Sequence, residues 1–130
     1  MEGMSFVPDV SDTEDRQGHG THVAGTIAQA TNNGIGATGV APDATILPVK
    51  VLSAQGSGTS EGIAAGIDYA VDQGADVINL SLGGPYSKVI HIAIQKARKR
   101  GVLVIAAAGN SGRKGLSYPC LLYTSDAADE

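Results

Sequence analysis

The sequence predicts an α/β protein, a parallel sheet with helices on its faces. Three observations predict it. Segments of helical period alternate with short apolar runs in the order α-β-α-β-α-β, with short connections. The last run, residues 102–108 (VLVIAAA), is continuously apolar, as a strand covered on both faces is. Glycine supplies 18 of 130 residues, about twice its usage of roughly 7%, so many backbone positions need positive φ or close approach. There is no internal repeat.

Residues 1–18 are polar and Asp-rich and read as loop. A helix is expected over 19–30, where Val23, Ile27 and Ala30 recur at helical spacing. Residues 31–43 (TNNGIGATGVAPD) form a turn-rich loop. Residues 45–52 (TILPVKVL) read as a strand, with Pro48 removing one ladder donor and favouring an edge or irregular pairing. After the loop 53–59, Ser60 is the expected N-cap of a helix over 61–73. Ile63, Ile67, Ala70 and Val71 share one face of it, and Gly74 stands at its C-cap. Residues 76–81 (DVINLS) read as a buried strand, and Gly83-Gly84-Pro85 breaks the chain. A helix over 87–100 places Ile90, Ile94 and Ala97 on one stripe and ends at Gly101. Lys96, Arg98, Lys99 and Arg100 in its last turn complement the helix dipole rather than forming a ligand patch.

At this length one small domain is expected, with 42% hydrophobic and 17% charged residues supporting a packed core. Nine basic against thirteen acidic side chains leave a formal charge of −4. That balance argues against nucleic acid or an anionic lipid surface as partner. No apolar run is long enough to span a membrane. The single cysteine, Cys120, excludes an internal disulfide. The first residues, Met1-Glu2-Gly3-Met4, have neither the basic nor the apolar region of a secretion signal.

Three strings carry chemistry: Gly18-His19-Gly20-Thr21-His22-Val23-Ala24-Gly25, Asn79-Leu80-Ser81-Leu82-Gly83-Gly84, and Ala106-Ala107-Ala108-Gly109-Asn110. His19 can take and return a proton near neutral pH, and a glycine-flanked helix start lets it face a cleft. Taken alone, it reads more readily as a capping or surface histidine. His22 shares its face, but no His-Glu-x-x-His spacing and no third ligand argue for zinc. Asn110 follows an apolar strand and Gly109, at the carboxyl end where open α/β sheets bind ligands. Its amide could donate to a developing oxyanion, or it could be a left-handed turn residue. The string Gly34-Ile35-Gly36-Ala37-Thr38-Gly39 has the dinucleotide spacing but the wrong context, following a helix and leading to a strand.

In this order, from about Phe6 to Pro119, the strings resemble the subtilisin-like serine peptidases, the subtilase family. The resemblance implies a three-layer α/β sandwich with a mostly parallel sheet, truncated at both ends. It implies an endopeptidase that cleaves peptide bonds through an acyl-enzyme, with His19 as general base of a Ser-His-Asp triad and Asn110 as oxyanion-hole donor. It gives His22 a structural role. It makes Ser81, Leu82 and Gly83 one wall of a substrate channel and Gly56, Ser57 and Gly58 the other, with Ala107, Ala108 and Gly109 leaving room for a large side chain. A polypeptide substrate would lie between the walls as an added strand. Asn33, Ile35 and Ala37 match positions of the family's structural calcium loop, whose acidic ligand is expected upstream; no organic cofactor is implied. Secretion is implied by the family alone, and oligomeric state is left open.

The family orders its triad Asp, His, Ser. Asp9, Asp12 and Asp15 precede His19, but none is followed by Gly as the triad Asp is. Gly58-Thr59-Ser60 resembles the nucleophile's string but precedes Asn110, where the family's nucleophile follows it. The chain is therefore expected to hold one triad member of three and to lack peptidase activity as written. The alternative is a non-catalytic relative that binds peptide in the same channel. Residues 1–119 form the expected peptidase portion. Residues 120–130 resemble the translated end of a transposase-type sequencing-library adapter and read as a non-native tail with few core contacts.

Overall fold

The computed structural model describes residues 1–112 and 117–122. The chain divides into two compact units, residues 1–58 and 59–130. In the first unit the elements are β1 (Met4–Ser5), α1 (His19–Ala28) and β2 (Val49–Lys50). In the second they are α2 (Ser60–Asp72), β3 (Val77–Leu80), α3 (Lys88–Lys99), β4 (Leu103–Ala106) and a 3₁₀ turn (Cys120–Leu122).

The second unit is a parallel strand pair under two helices. Val77, Ile78, Asn79 and Leu80 stand opposite Leu103, Val104, Ile105 and Ala106. Side chains alternate faces along a strand, so Ile78, Leu80 and Val104 point one way and are buried. Against them lie the apolar stripes of the helices: Ile63, Ile67, Ala70 and Val71 from α2, and Ala93, Ile94 and Ala97 from α3. Ile94, 1% exposed, sits at the centre; burying such a side chain contributes about 1.5–3 kcal/mol.

Both helices stop by the same device. Gly74 and Gly101 take φ of 79° and 81°, conformations that a Cβ disfavours. Their amides bond the carbonyls of Val71 and Arg98, and the next amides, of Ala75 and Val102, bond back to Ala70 and Ala97. These are Schellman closures, which satisfy the last carbonyls of each helix. The basic cluster ends α3 as expected, and Arg100 also reaches Asp72 on α2 at 3.1 Å. Such exposed pairs contribute little.

Several expectations are corrected. Ser60 is the first residue of α2 and not its cap; the Thr59 side chain accepts from the Gly62 amide at 3.0 Å. Thr59 has extended backbone geometry that a cap needs, and Ser60 is already helical. The run 102–108, read as covered on both faces, and the strand 76–81, read as buried, are each covered on one: Val77 is 54% exposed, Leu103 57% and Ile105 46%. Their apolar run is uniform, but α2 and α3 cover a single side. The expected strand 45–52 contracts to Val49–Lys50, because only the segment beside Pro48 finds a partner. That partner is β1, within residues read as loop: Met4 pairs with Val49 and Ser5 with Lys50 in parallel. The described strands form two parallel pairs, one in each unit. Helix α1 ends at Ala28, two residues early, where Gln29 turns extended.

Within the tail, Cys120 and Leu122 are half-buried. The remainder of the expected non-native segment, 123–130, lies outside the described residues.

Candidate active site

His19 is the first residue of α1. The residue before it, Gly18, takes φ of 105° and has no side chain with which to cap the helix. The first amides of a helix lack intrahelical partners, and here two upstream side chains supply them. Asp15 Oδ1 accepts from the amides of Gln17 (2.9 Å) and Gly18 (2.8 Å). Asp15 Oδ2 accepts from the Thr21 amide (2.8 Å) and the Thr21 hydroxyl (2.6 Å). Gln17 Oε1 takes the His19 amide at 2.8 Å. The Thr21 hydroxyl foremost, then the backbone amides, hold the Asp15 carboxyl well below the usual carboxylate range.

The imidazoles of His19 and His22 are both exposed. Asp12, in the same loop, is held low by its hydrogen bond from Arg16, and Arg16 also reaches Glu14 at 2.8 Å. Asp12 and Asp15 are thereby both committed, one to a guanidinium and one to a helix start.

The rest of the first unit's predicted residues lie in two loops. Gly56, Ser57 and Gly58 are exposed in a tight turn, with Gly56 at φ 78° and the Ser53 amide bonded to the Ser57 carbonyl at 2.8 Å. Gly58 packs on the Val51 carbonyl, leaving no space for a Cβ. Asn33, Ile35 and Ala37 are exposed, and Asn33 Oδ1 already accepts from the Ile35 amide at 3.1 Å. Calcium takes six to eight hard oxygens. These three residues offer neutral oxygens of that kind, but four at most and no charge. The described residues contain no group of three His, Cys, Asp or Glu side chains fit to hold a metal.

In the second unit, the carboxyl ends of β3 and β4 bring two predicted segments together. The Ala107 amide extends the ladder to the Leu80 carbonyl at 3.1 Å, so Ser81, Leu82 and Gly83 emerge beside Ala107 and Gly109. Asn79 Nδ2 donates to Ser81 Oγ at 2.8 Å. A third segment joins them, which the sequence reading did not single out. Gly84 and Tyr118 exchange two backbone hydrogen bonds, and Ser117 Oγ faces both Gly83 and Gly109. A Cβ would come within 2.7 Å of that oxygen at Gly83 and 3.2 Å at Gly109. Asn110 is exposed. Its turn reading is overturned: the left-handed residue there is Gly109, at φ 93°, and Asn110 is not among the non-glycine residues with positive φ. The left-handed backbone position falls on the glycine and not on Asn110.

The family model for the subtilase family (peptidase S8) matches residues 2–125. The chain belongs to the subtilase family. Among its relatives, Subtilisin Savinase of Lederbergia lenta is 55% identical over 118 residues, which are 90% of this chain and 44% of that protein. The Alkaline protease of Alkalihalobacillus alcalophilus is likewise 55% identical over 118 residues, 90% of this chain and 31% of its own length. Of solved structures, Sphericase superposes with a TM-score of 0.79 at 41% identity, covering 88% of this chain and 41% of that one. This subtilase chain thus spans less than half the length of the relatives it matches. Its α/β fold is subtilisin-like.

Sequence reasoning missed Asp15 as the partner of the helix start that carries His19. The available signal was Gly18: a helix start with glycine at the cap requires another side chain for its orphan amides.

Proposed function

We propose that this chain is part of a secreted serine endopeptidase in which His19 is the general base and Asn110 the oxyanion donor. The observation that carries the reading is His19 itself, an exposed imidazole at the start of a helix inside the string His-Gly-Thr-His-Val-Ala-Gly. The named proteases among its relatives support it.

On this reading His19 takes the proton of an attacking serine hydroxyl and returns it to the leaving amine. The Asn110 carboxamide donates to the oxygen that becomes negative in the tetrahedral intermediate. Ser81–Gly83 in the second unit and Gly56–Gly58 in the first are each read as backbone along which an extended polypeptide lies, their glycines permitting close approach of another backbone. The triad serine and aspartate are supplied by parts of the protease beyond these residues. The exposure of Asn110 supports its role, and the engagement of Asp12 by Arg16 and of Asp15 by the helix start argues against either as the triad aspartate. Calcium at the loop 31–37 belongs to the reading only with a carboxylate brought from elsewhere, and no step depends on it.

Hydrolysis of a fluorogenic peptide by the full-length protein that contains this chain tests the assignment. His19→Ala is expected to lower kcat by about 10⁶-fold, the size of the loss in subtilisin itself. Retained turnover would overturn it. Peptide binding with no turnover in the unmutated protein would favour the non-catalytic alternative.

A further inference from the structure

We propose that Asp15 is a positioning residue for His19, fixing the first turn of α1 on which the imidazole is mounted. The inference rests on the reading of His19 as general base. The His19 imidazole is mounted on the first turn of α1, so the backbone beneath it sets where the ring can reach. That backbone begins at a glycine with φ of 105°, which cannot cap the turn. Asp15 clamps it from both sides. One carboxylate oxygen holds the amides of Gln17 and Gly18, just before His19. The other holds the amide and hydroxyl of Thr21, just after it. Gln17, itself tied to Asp15, takes the His19 amide. The carboxylate thus bridges the two sides of the catalytic residue without touching its ring, and negative charge is favoured at this end of the helix. No other carboxylate in the loop does this: Asp12 turns to Arg16.

The test uses the full-length protease, with kcat expressed per active site titrated by an irreversible serine acylator. Loss of folded protein then does not lower the number. A displacement of about 1 Å at a catalytic group costs up to about 100-fold. Asp15→Asn is therefore expected to lower kcat by about 10- to 100-fold, with KM changed by less than about twofold, and Asp15→Glu to recover part of the loss. Unchanged kcat per titrated site in Asp15→Asn overturns the inference. If Asp15→Asn leaves no titratable sites, Thr21→Val decides, since it removes only the hydroxyl bond: a kcat lowered by roughly threefold or more at constant KM supports the clamp, and an unchanged kcat overturns it. His19→Ala separates the two levels. Turnover surviving that substitution overturns the general-base reading and the clamp together. Turnover abolished there but untouched in Asp15→Asn overturns the clamp alone.

Discussion

The two units are held by different physics. In residues 59–130, apolar stripes on α2 and α3 close over one face of a strand pair, and every buried hydrophobic residue of the core belongs to this unit. In residues 1–58, α1 buries none of its residues and the strands are two residues long. What organises that unit is hydrogen bonding: the Asp15 clamp, the Arg16 pairs with Asp12 and Glu14, and the Lys50 ammonium on the Glu14 carbonyl at 2.6 Å. The contrast teaches that the helix start bearing His19 is set by directional polar contacts. The strand ends that bear Asn110 are set by packing, which fixes where the sheet stops.

The comparison breaks most readily at the core. Ile94→Ala is expected to destabilise the protein by about 2–5 kcal/mol in urea unfolding. Ile27→Ala, on the half-buried face of α1, is expected to cost well under half of that. Equal losses would show that the first unit has an apolar core of its own. Next in size is Gly101→Ala, expected to cost about 1–2 kcal/mol because a Cβ is forced into the left-handed region that closes α3. Thr59→Ala follows at about 1 kcal/mol, the ordinary value of an N-cap.

The first unit should instead answer to pH. A carboxylate whose folded pKa is depressed contributes stability above its unfolded pKa and loses it as the pH falls toward the folded value. Asp15, ordinarily near 3.8 and lowered here, is therefore expected to hold α1 fully above about pH 5. That stability drains away below about pH 4. Amide exchange at Gly18 and Thr21 measures this, and Asp15→Asn should abolish the pH dependence. The smallest expected effect concerns the uncovered face of the strand pair. Residues 1–130 alone should bind a hydrophobic dye through Val77, Leu103 and Ile105. Leu103→Lys should reduce that fluorescence without changing the helix content.

Much of this was legible beforehand. Gly74 and Gly101 end helices because few residues other than glycine tolerate their φ. The stripe of Ile90, Ile94 and Ala97 announced which face of α3 is inward. The string around His19 announced a helix start with an exposed imidazole. Strand β1 was not legible, because two residues carry no periodicity and the partner lies more than forty positions away. Ser60 and Thr59 were not separable as caps, since both have a hydroxyl and only the backbone angles decide between them.

The sequence by itself determined the order of elements, the apolar stripes and the identity of the histidine and carboxamide. These follow from local periodicity, from steric limits on φ and from side-chain chemistry, none of which requires a distant partner. Only the tertiary structure decided that Asp15 serves the start of α1, that Ser117 lies against Gly83 and Gly109, and that one face of β3 and β4 is covered. Each of those depends on which groups meet in space, and hydrogen-bond partners and packing neighbours are chosen by the path of the whole chain.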